Sequence, residues 1–213
     1  MSCKICFSHT KTMSHPQHKE LYDRCESCEL ITLQPTFYVD SDREKHQYDQ
    51  HNNSLENKGY VMMFENFLDF FWEVFTCKTI RILDFGSGPT PVLAHLMQKR
   101  GADVACYDKF YAPASHVLNE TFDAITSTEV FEHLVNPKET LEFLAHRLNK
   151  GGYLALMTLF HANDEEVFWS WWYRRDPTHI TFYTPKTLEV LANACGLTLI
   201  KHDAKRIALL QKQ

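Results

Sequence analysis

Apolar and polar positions change period several times along the chain, and those changes mark its elements. From Ile80 to Phe85 a short β-branched and apolar run ends in Gly86-Ser87-Gly88, the pattern of a buried strand entering a tight turn. A helical pattern follows, and a second strand, Asp103–Tyr107, closes on Asp108, which predicts one βαβ unit. Upstream, the stretch from Tyr60 to Phe75 puts Tyr60, Phe64, Phe67, Phe71 and Phe75 on apolar faces. Glu65, Asp69 and Glu73 form a polar stripe on the same stretch, so it reads as a helix packed on a sheet or against a second chain. Downstream, Phe122–Ser127 reads as a buried strand. Asn136 as N-cap, Pro137 in the first turn and inward Leu141, Leu144 and Leu148 predict a helix over 137–149, ended by Gly151-Gly152. A strand over 153–159, an aromatic insertion over 160–179 and a helix capped by Thr184-Pro185 follow. Strands over 197–202 and 206–211 then close the chain as a hairpin. Strands alternating with helices predict an α/β, Rossmann-like, mostly parallel sheet with helices on both faces and a C-terminal hairpin.

The first 34 residues do not share this pattern. They carry Cys3-x-x-Cys6 and Cys25-x-x-Cys28, separated by residues 7–24, and two such pairs supply four thiolates for one tetrahedral zinc. The expected organisation is therefore a small zinc ribbon at 1–34, a polar connector at 35–59 and the α/β domain at 60–213. Four cysteine ligands leave no open position, so this zinc is structural, and on the order of 10 kcal/mol of binding would fold a piece too small for its own core. Neither pair is promptly followed by the glycine that often completes such a knuckle. The connector, with Tyr38, Tyr48 and the run His51-Asn52-Asn53-Ser54, reads as a surface linker or as a cover for a neighbouring pocket.

Charge and composition narrow the function. In 213 residues the net charge is −5, which disfavours extended nucleic-acid binding through phosphates. No apolar run reaches membrane-spanning length, and the start is not that of a signal peptide. Seven cysteines, four of them in metal-type pairs, fit a reducing cytoplasm better than a disulfide framework.

The turn after the first α/β strand excludes two phosphate binders. A nicotinamide fingerprint needs a third glycine where Pro91 stands, and a Walker loop needs a Gly-Lys-Ser/Thr that does not follow. What remains is Asp84-Phe85-Gly86-Ser87-Gly88 with Asp108 at the next strand end, where a carboxylate takes ribose hydroxyls. Over about residues 60–210, through LDFGSGPT (83–90), FDAITSTEVFEHL (122–134) and LNKGGYLALMT (148–158), the chain resembles class I S-adenosylmethionine-dependent methyltransferases. The resemblance implies that Gly86–Gly88 approaches the methionine moiety, that Asp108 holds the ribose and that Lys109 and Phe110 flank the adenine. Asp84, Phe85, Ser87, Thr128 and Glu129 complete the implied cofactor site. Thr90 stands where many members carry a third glycine, and few residues separate Asp108 from Phe122, so the third strand and its adenine-contacting acid are shortened or absent.

Glu129, Glu132 and His133 follow the fourth strand at the edge where open α/β sheets bind ligands. On one helical turn they would share a face and either hold a divalent cation, wall the pocket or set a base beside an acid. Their E-x-x-E-H spacing is similar to that of metal-dependent O-methyltransferases, which implies a cation coordinating an accepting hydroxyl, with His179 or His161 as a further ligand. His133, His179 and Glu132 are the catalytic candidates. In the insertion, Trp169, Trp171, Trp172 and Tyr173 either stack on an acceptor, with Arg174 and Arg175 pairing a phosphate or carboxylate, or form a hydrophobic seam or dimer face. The leading expectation is methyl transfer from S-adenosylmethionine to a small-molecule acceptor, at oxygen. The rivals are an RNA methyltransferase gripping RNA through the ribbon and a non-catalytic adaptor on the same fold.

Overall fold

Strand alternation decides which helices cover which face of the larger sheet. The computed structural model describes residues 2–50, 54–75 and 79–213; of the polar run in the connector, His51, Asn52 and Asn53 lie outside the described residues. Six strands form the larger sheet: β4 (Arg81–Phe85), β5 (Asp103–Tyr107), β6 (Phe122–Thr128), β7 (Leu148–Met157), β9 (Leu197–His202) and β10 (Ile207–Lys212). Their order is β5-β4-β6-β7-β10-β9. The first four pair in parallel, while β10 runs antiparallel between β7 and β9, giving the expected closing hairpin.

Successive strand residues point to opposite faces. Ile82, Ala124, Ala155 and Leu209 pack with helices α2 (Lys58–Phe71) and α3 (Val92–Lys99). Their neighbours Leu83, Ile125, Leu154 and Leu210 pack with α4 (Pro137–Arg147) and α6 (Pro185–Ala194) on the other side. The polar stripe on α2 has a partner, since Arg100 bonds Glu65 at 2.5 Å and Asp69 at 2.7 Å. Between β5 and β6 the chain makes a single 3-10 turn, Ser115–Asn119, where a further strand and helix would otherwise lie.

Two boundaries differ from the sequence pattern. The α4 helix stops at Arg147 and β7 begins at once, at Leu148. Gly151-Gly152 therefore sits inside a strand, at a shift in its register against β6. A Cβ on Gly152 would stand 2.8 Å from the Asn149 carbonyl oxygen and 2.9 Å from that of Asp123, so the glycine is needed for close backbone approach and not for ending a helix. The α2 helix is capped by Asn57, whose Oδ1 accepts from Tyr60 N–H, and gives way at Trp72–Val74 to a 3-10 turn.

The N-terminal segment forms the smaller sheet, β1 (Thr10–Met13), β2 (Tyr22–Cys25) and β3 (Ile31–Leu33), all antiparallel. Its fourth strand is β8 (Thr181–Phe182), which comes from beyond the aromatic insertion and pairs with β3. The insertion itself folds as α5 (Glu165–Ser170) and a 3-10 turn, Trp172–Arg175. Its Phe168, Trp169 and Tyr173 share one apolar cluster with Met13, Tyr22 and Ile31 of the ribbon sheet. Among the described residues of the insertion, Trp172 is the tryptophan left exposed, at 65%. No helix among the described residues is long and apolar enough to cross a membrane. Among its described residues the connector carries a 3-10 turn, Pro35–Phe37, and the helix α1 (Ser41–Asp49), which is capped by Asp40 and buries no residue of its own.

Candidate active site

The glycine turn and the end of β5 are locked together. Gly86 and Gly88 have φ of 84° and 68°, in the region open to glycine. The Gly86 and Ser87 N–H groups donate to the Tyr107 carbonyl at 2.7 and 3.2 Å. The Asp108 carboxylate accepts from Gly88 N–H at 3.0 Å through one oxygen, and from Phe110 and Tyr111 N–H at 2.8 and 3.1 Å through the other. Asp108 lines a cavity of about 910 Å³ that the turn also lines. Ser87 Oγ is buried without a hydrogen-bond partner. Beneath the turn, Asp84 is fully enclosed and accepts from Thr126 Oγ1 at 2.9 Å. Burial, with the nearby Asp108 charge adding to it, lifts the Asp84 carboxyl to about 7.

The connector helix forms a wall of the same cavity. Lys109 Nζ pairs with Glu44 at 2.7 Å and lies 4.6 Å from the Phe110 ring centre. Tyr111 donates to Asp49 at 2.5 Å, Gln47 to Asp176 at 3.2 Å, and the Tyr48 ring meets His133 edge-on at 5.0 Å. No sequence periodicity marks Glu44, Gln47 or Tyr48 as pocket residues, because they act from a helix with no buried stripe.

Elsewhere along the cavity the backbone does not take the shape the spacing suggests. Glu129 has φ of 53°, and only Phe131–His133 make a 3-10 turn. Glu129 and His133 therefore do not share a helical face. The two acids meet through a side chain instead: Tyr173 Oη donates to Glu132 Oε1 at 2.5 Å and lies 3.2 Å from Glu129 Oε2. The other oxygens, Glu132 Oε2 and Glu129 Oε1, are buried without partners. Burial pushes both carboxyls above their ordinary range, and the Glu129 charge pushes Glu132 further.

His133 Nδ1 lies 2.9 Å from the Thr178 carbonyl and His179 Nδ1 2.7 Å from the Tyr173 carbonyl. A carbonyl only accepts, so both Nδ1 atoms carry a proton. The two rings are 4.8 Å apart. Burial, then the His179 charge, drops His133 to about 3, leaving it neutral at ordinary pH. One ligand atom from each of Glu132, His133 and His179 lies within 4.8 Å of the others. That trio, and not Glu129 with Glu132 and His133, is the arrangement that matches a cation. His161 is elsewhere, its Nε2 3.0 Å from the Glu29 carbonyl.

The four cysteines also converge. Cys3 and Cys28 Sγ are 3.5 Å apart, as are Cys6 and Cys25, and all four lie within 4.8 Å. Ligands at about 2.3 Å in a tetrahedron stand roughly 3.8 Å apart, so the set fits zinc. The knuckles form without glycine: Phe7 and Glu29, one after each pair, take φ of 60° and 67°. Backbone N–H groups of Ile5 and Cys28 reach the sulfurs of Cys3 and Cys25 at 3.4 and 3.5 Å.

A family model described as a methyltransferase domain matches residues 62–202. A stretch of 53 residues is 42% identical to the tRNA U34 carboxymethyltransferase of Helicobacter hepaticus, covering 25% of this chain and only 17% of that protein. Among solved structures, an O-methyltransferase family protein from Burkholderia thailandensis aligns with a TM-score of 0.55 at 12% identity, over 80% of this chain and 63% of its own. The 1,6-didemethyltoxoflavin-N1-methyltransferase of the same organism, solved with 1,6-didemethyltoxoflavin and S-adenosylhomocysteine, aligns with a TM-score of 0.56 at 11% identity over 94% and 98%. At such identities the structural likeness establishes the fold.

Proposed function

The chain belongs to the methyltransferase-domain family, matched over residues 62–202, and from that premise we propose that it transfers the methyl group of S-adenosylmethionine to an oxygen of a small-molecule acceptor. One observation carries the reading. A single cavity is lined by the Gly86–Gly88 turn and Asp108 and also by His133 and His179, with Glu132 buried beside the two histidines. The turn and Asp108 suit a ligand with a ribose, whose hydroxyls Asp108 can accept. Ser87 Oγ and Glu129 Oε1, both buried and unpaired, suit its polar groups, with Phe85, Thr128, Lys109 and Phe110 around them.

Bound there, S-adenosylmethionine supplies an electrophilic sulfonium methyl, and its transfer is an in-line displacement that needs alignment above all. The chain's own residues supply that alignment and a sink for the acceptor's proton. His133, neutral at ordinary pH, and His179 each have Nδ1 fixed by a carbonyl and both line the cavity. This is also how metal-binding imidazoles are oriented. The Glu132 carboxylate, with Oε1 4.0 Å from His133 Nε2, completes a set for a divalent cation, which would lower the pKa of a bound hydroxyl. The cysteine cluster at 1–34 is read as a structural zinc ribbon, and thiolate ligands fit a reducing cytoplasm.

Calorimetry of the zinc-loaded protein with S-adenosylhomocysteine tests the donor site; absence of binding refutes the reading. For the cation, Glu132→Gln is expected to abolish saturable Mn2+ binding, followed by electron paramagnetic resonance, while cofactor affinity stays within about twofold. Equal Mn2+ binding in both proteins removes the cation. A nucleic-acid acceptor is the second reading, favoured by the local match to a tRNA enzyme; a steep salt dependence of RNA binding would support it.

A further inference from the structure

Behind the acceptor wall lies a second cavity, of about 550 Å³, between the ribbon sheet and the aromatic insertion. It shares Arg175, Asp176, Pro177 and His179 with the larger one, so the two cavities adjoin along these residues. Its most unusual member is Arg174. The residue is only 6% exposed, yet no carboxylate among the described residues lies within ion-pair distance of its guanidinium. One terminal nitrogen donates to the Trp169 carbonyl at 3.0 Å and approaches His18 Nε2 at 3.4 Å. Its Nε, also buried, has no partner.

A buried cation is normally paired with an anion, and here only neutral acceptors are present. The surroundings repeat the preference. His18 stacks on Trp169 with centroids 5.5 Å apart and planes 7° from parallel, and His15 lies 5.0 Å from His18. Arg174 sits 5.2 Å from the Trp169 ring centre. Arg175 adds a second, exposed guanidinium. Three carboxylates also line the cavity. Asp176 is satisfied by Thr178 and Gln47, while Glu20 and Glu166 stand apart from Arg174.

We infer that this cavity is an oxyanion subsite of the acceptor, receiving a phosphate group attached to an aromatic or sugar-bearing small molecule, with Arg174 as its principal donor. Planar guanidinium and stacked imidazole–indole surfaces match a phosphate and a ring respectively. The inference rests on reading the larger cavity as the methyl-transfer site, since His179 belongs to both.

The test uses the zinc-loaded full chain saturated with S-adenosylhomocysteine and titrated calorimetrically with phenyl phosphate at constant ionic strength. Saturable binding is expected, weakened about tenfold or more by Arg174→Gln, with S-adenosylhomocysteine affinity unchanged within twofold. Should Arg174→Gln fail to fold, Arg175→Gln is expected to weaken binding about threefold. No saturable binding, or equal binding by both variants, overturns the inference. If S-adenosylhomocysteine itself does not bind, the methyl-transfer reading fails, and the phosphate titration is still read alone. A 3′-phosphorylated dinucleotide is the companion probe: Arg174-dependent binding tighter than that of phenyl phosphate assigns the phosphate to a nucleic-acid end, and weaker binding assigns it to a small molecule.

Discussion

Replacing Gly86 by alanine isolates the turn on which the donor site depends. Two costs add. At φ of 84° a Cβ is disfavoured, by about 1–2 kcal/mol. The new Cβ would also stand 2.2 Å from Cγ2 of Val130, so one of them must move, and such overpacking costs about 1–3 kcal/mol. The sum, about 2–5 kcal/mol, lowers Tm by roughly 4–20 °C in a chain of this size. Because the Gly86 and Ser87 N–H groups share the Tyr107 carbonyl, a displaced turn also weakens S-adenosylhomocysteine binding. The second variant separates the costs. Val130→Ala removes the clashing methyl, leaving the new Cβ 3.5 Å from the nearest remaining side-chain atom at 130, its Cβ. Gly86→Ala/Val130→Ala is therefore expected to regain the steric part and retain the φ part. Thermal melts and calorimetry of the four proteins form the cycle. If Gly86→Ala melts and binds like the parent, or if Val130→Ala restores nothing, the steric account of this turn is wrong.

Removing metal from the cysteine cluster is expected to lower Tm sharply, with elemental analysis giving one zinc per folded chain, since binding on the order of 10 kcal/mol is folding free energy here; an unchanged melt after verified zinc removal would rule out the structural zinc. Asp84, raised to about 7 from an ordinary 3.8, binds its proton more tightly folded than unfolded, so its own contribution to stability is fully present below about pH 4 and is lost as pH rises through 7, by at most about 4 kcal/mol. Urea titrations of the cofactor-free protein should show that decline and Asp84→Asn should flatten it; parallel curves contradict the assignment. Tyr173→Phe removes the hydroxyl shared by Glu129 and Glu132 and should cost about 1–3 kcal/mol in urea titrations, whereas a neutral result means the two acids do not depend on it.

The donor half was legible because it is local. A βαβ unit puts its first turn and the end of its second strand on the same sheet edge, so Gly86, Gly88 and Asp108 meet as soon as β4 and β5 pair. The acceptor half has no such rule. Glu129 and His133 have helical spacing, but Glu129 takes a positive φ, and the imidazole orientations are set by the Thr178 and Tyr173 carbonyls of an irregular segment. A hint survives in Asp176-Pro177-Thr178, where Asp176 accepts from the Thr178 N–H and hydroxyl at 2.9 and 2.6 Å, the turn chemistry that brings His179 back to the sheet edge.

The ribbon shows why the missing information is tertiary. Nothing in a two-residue strand states its partner, yet β8 pairs with β3 through Ile31–Phe182 and Thr32–Thr181, and Ile180 N–H donates to the Glu132 carbonyl at 2.8 Å. The second cysteine knuckle is fastened to the start of α6: Thr187 Oγ1 donates to the Cys28 carbonyl and Thr184 Oγ1 to Glu29, both at 2.8 Å. A short strand held on one side by the ribbon and on the other by the Glu132 backbone has little freedom to slide. Its register constrains His179, two residues before it, relative to Glu132 and His133. The cysteine segment is thus tied through β3 and β8 to the stretch that carries His179, a link between positions that the sequence places far apart.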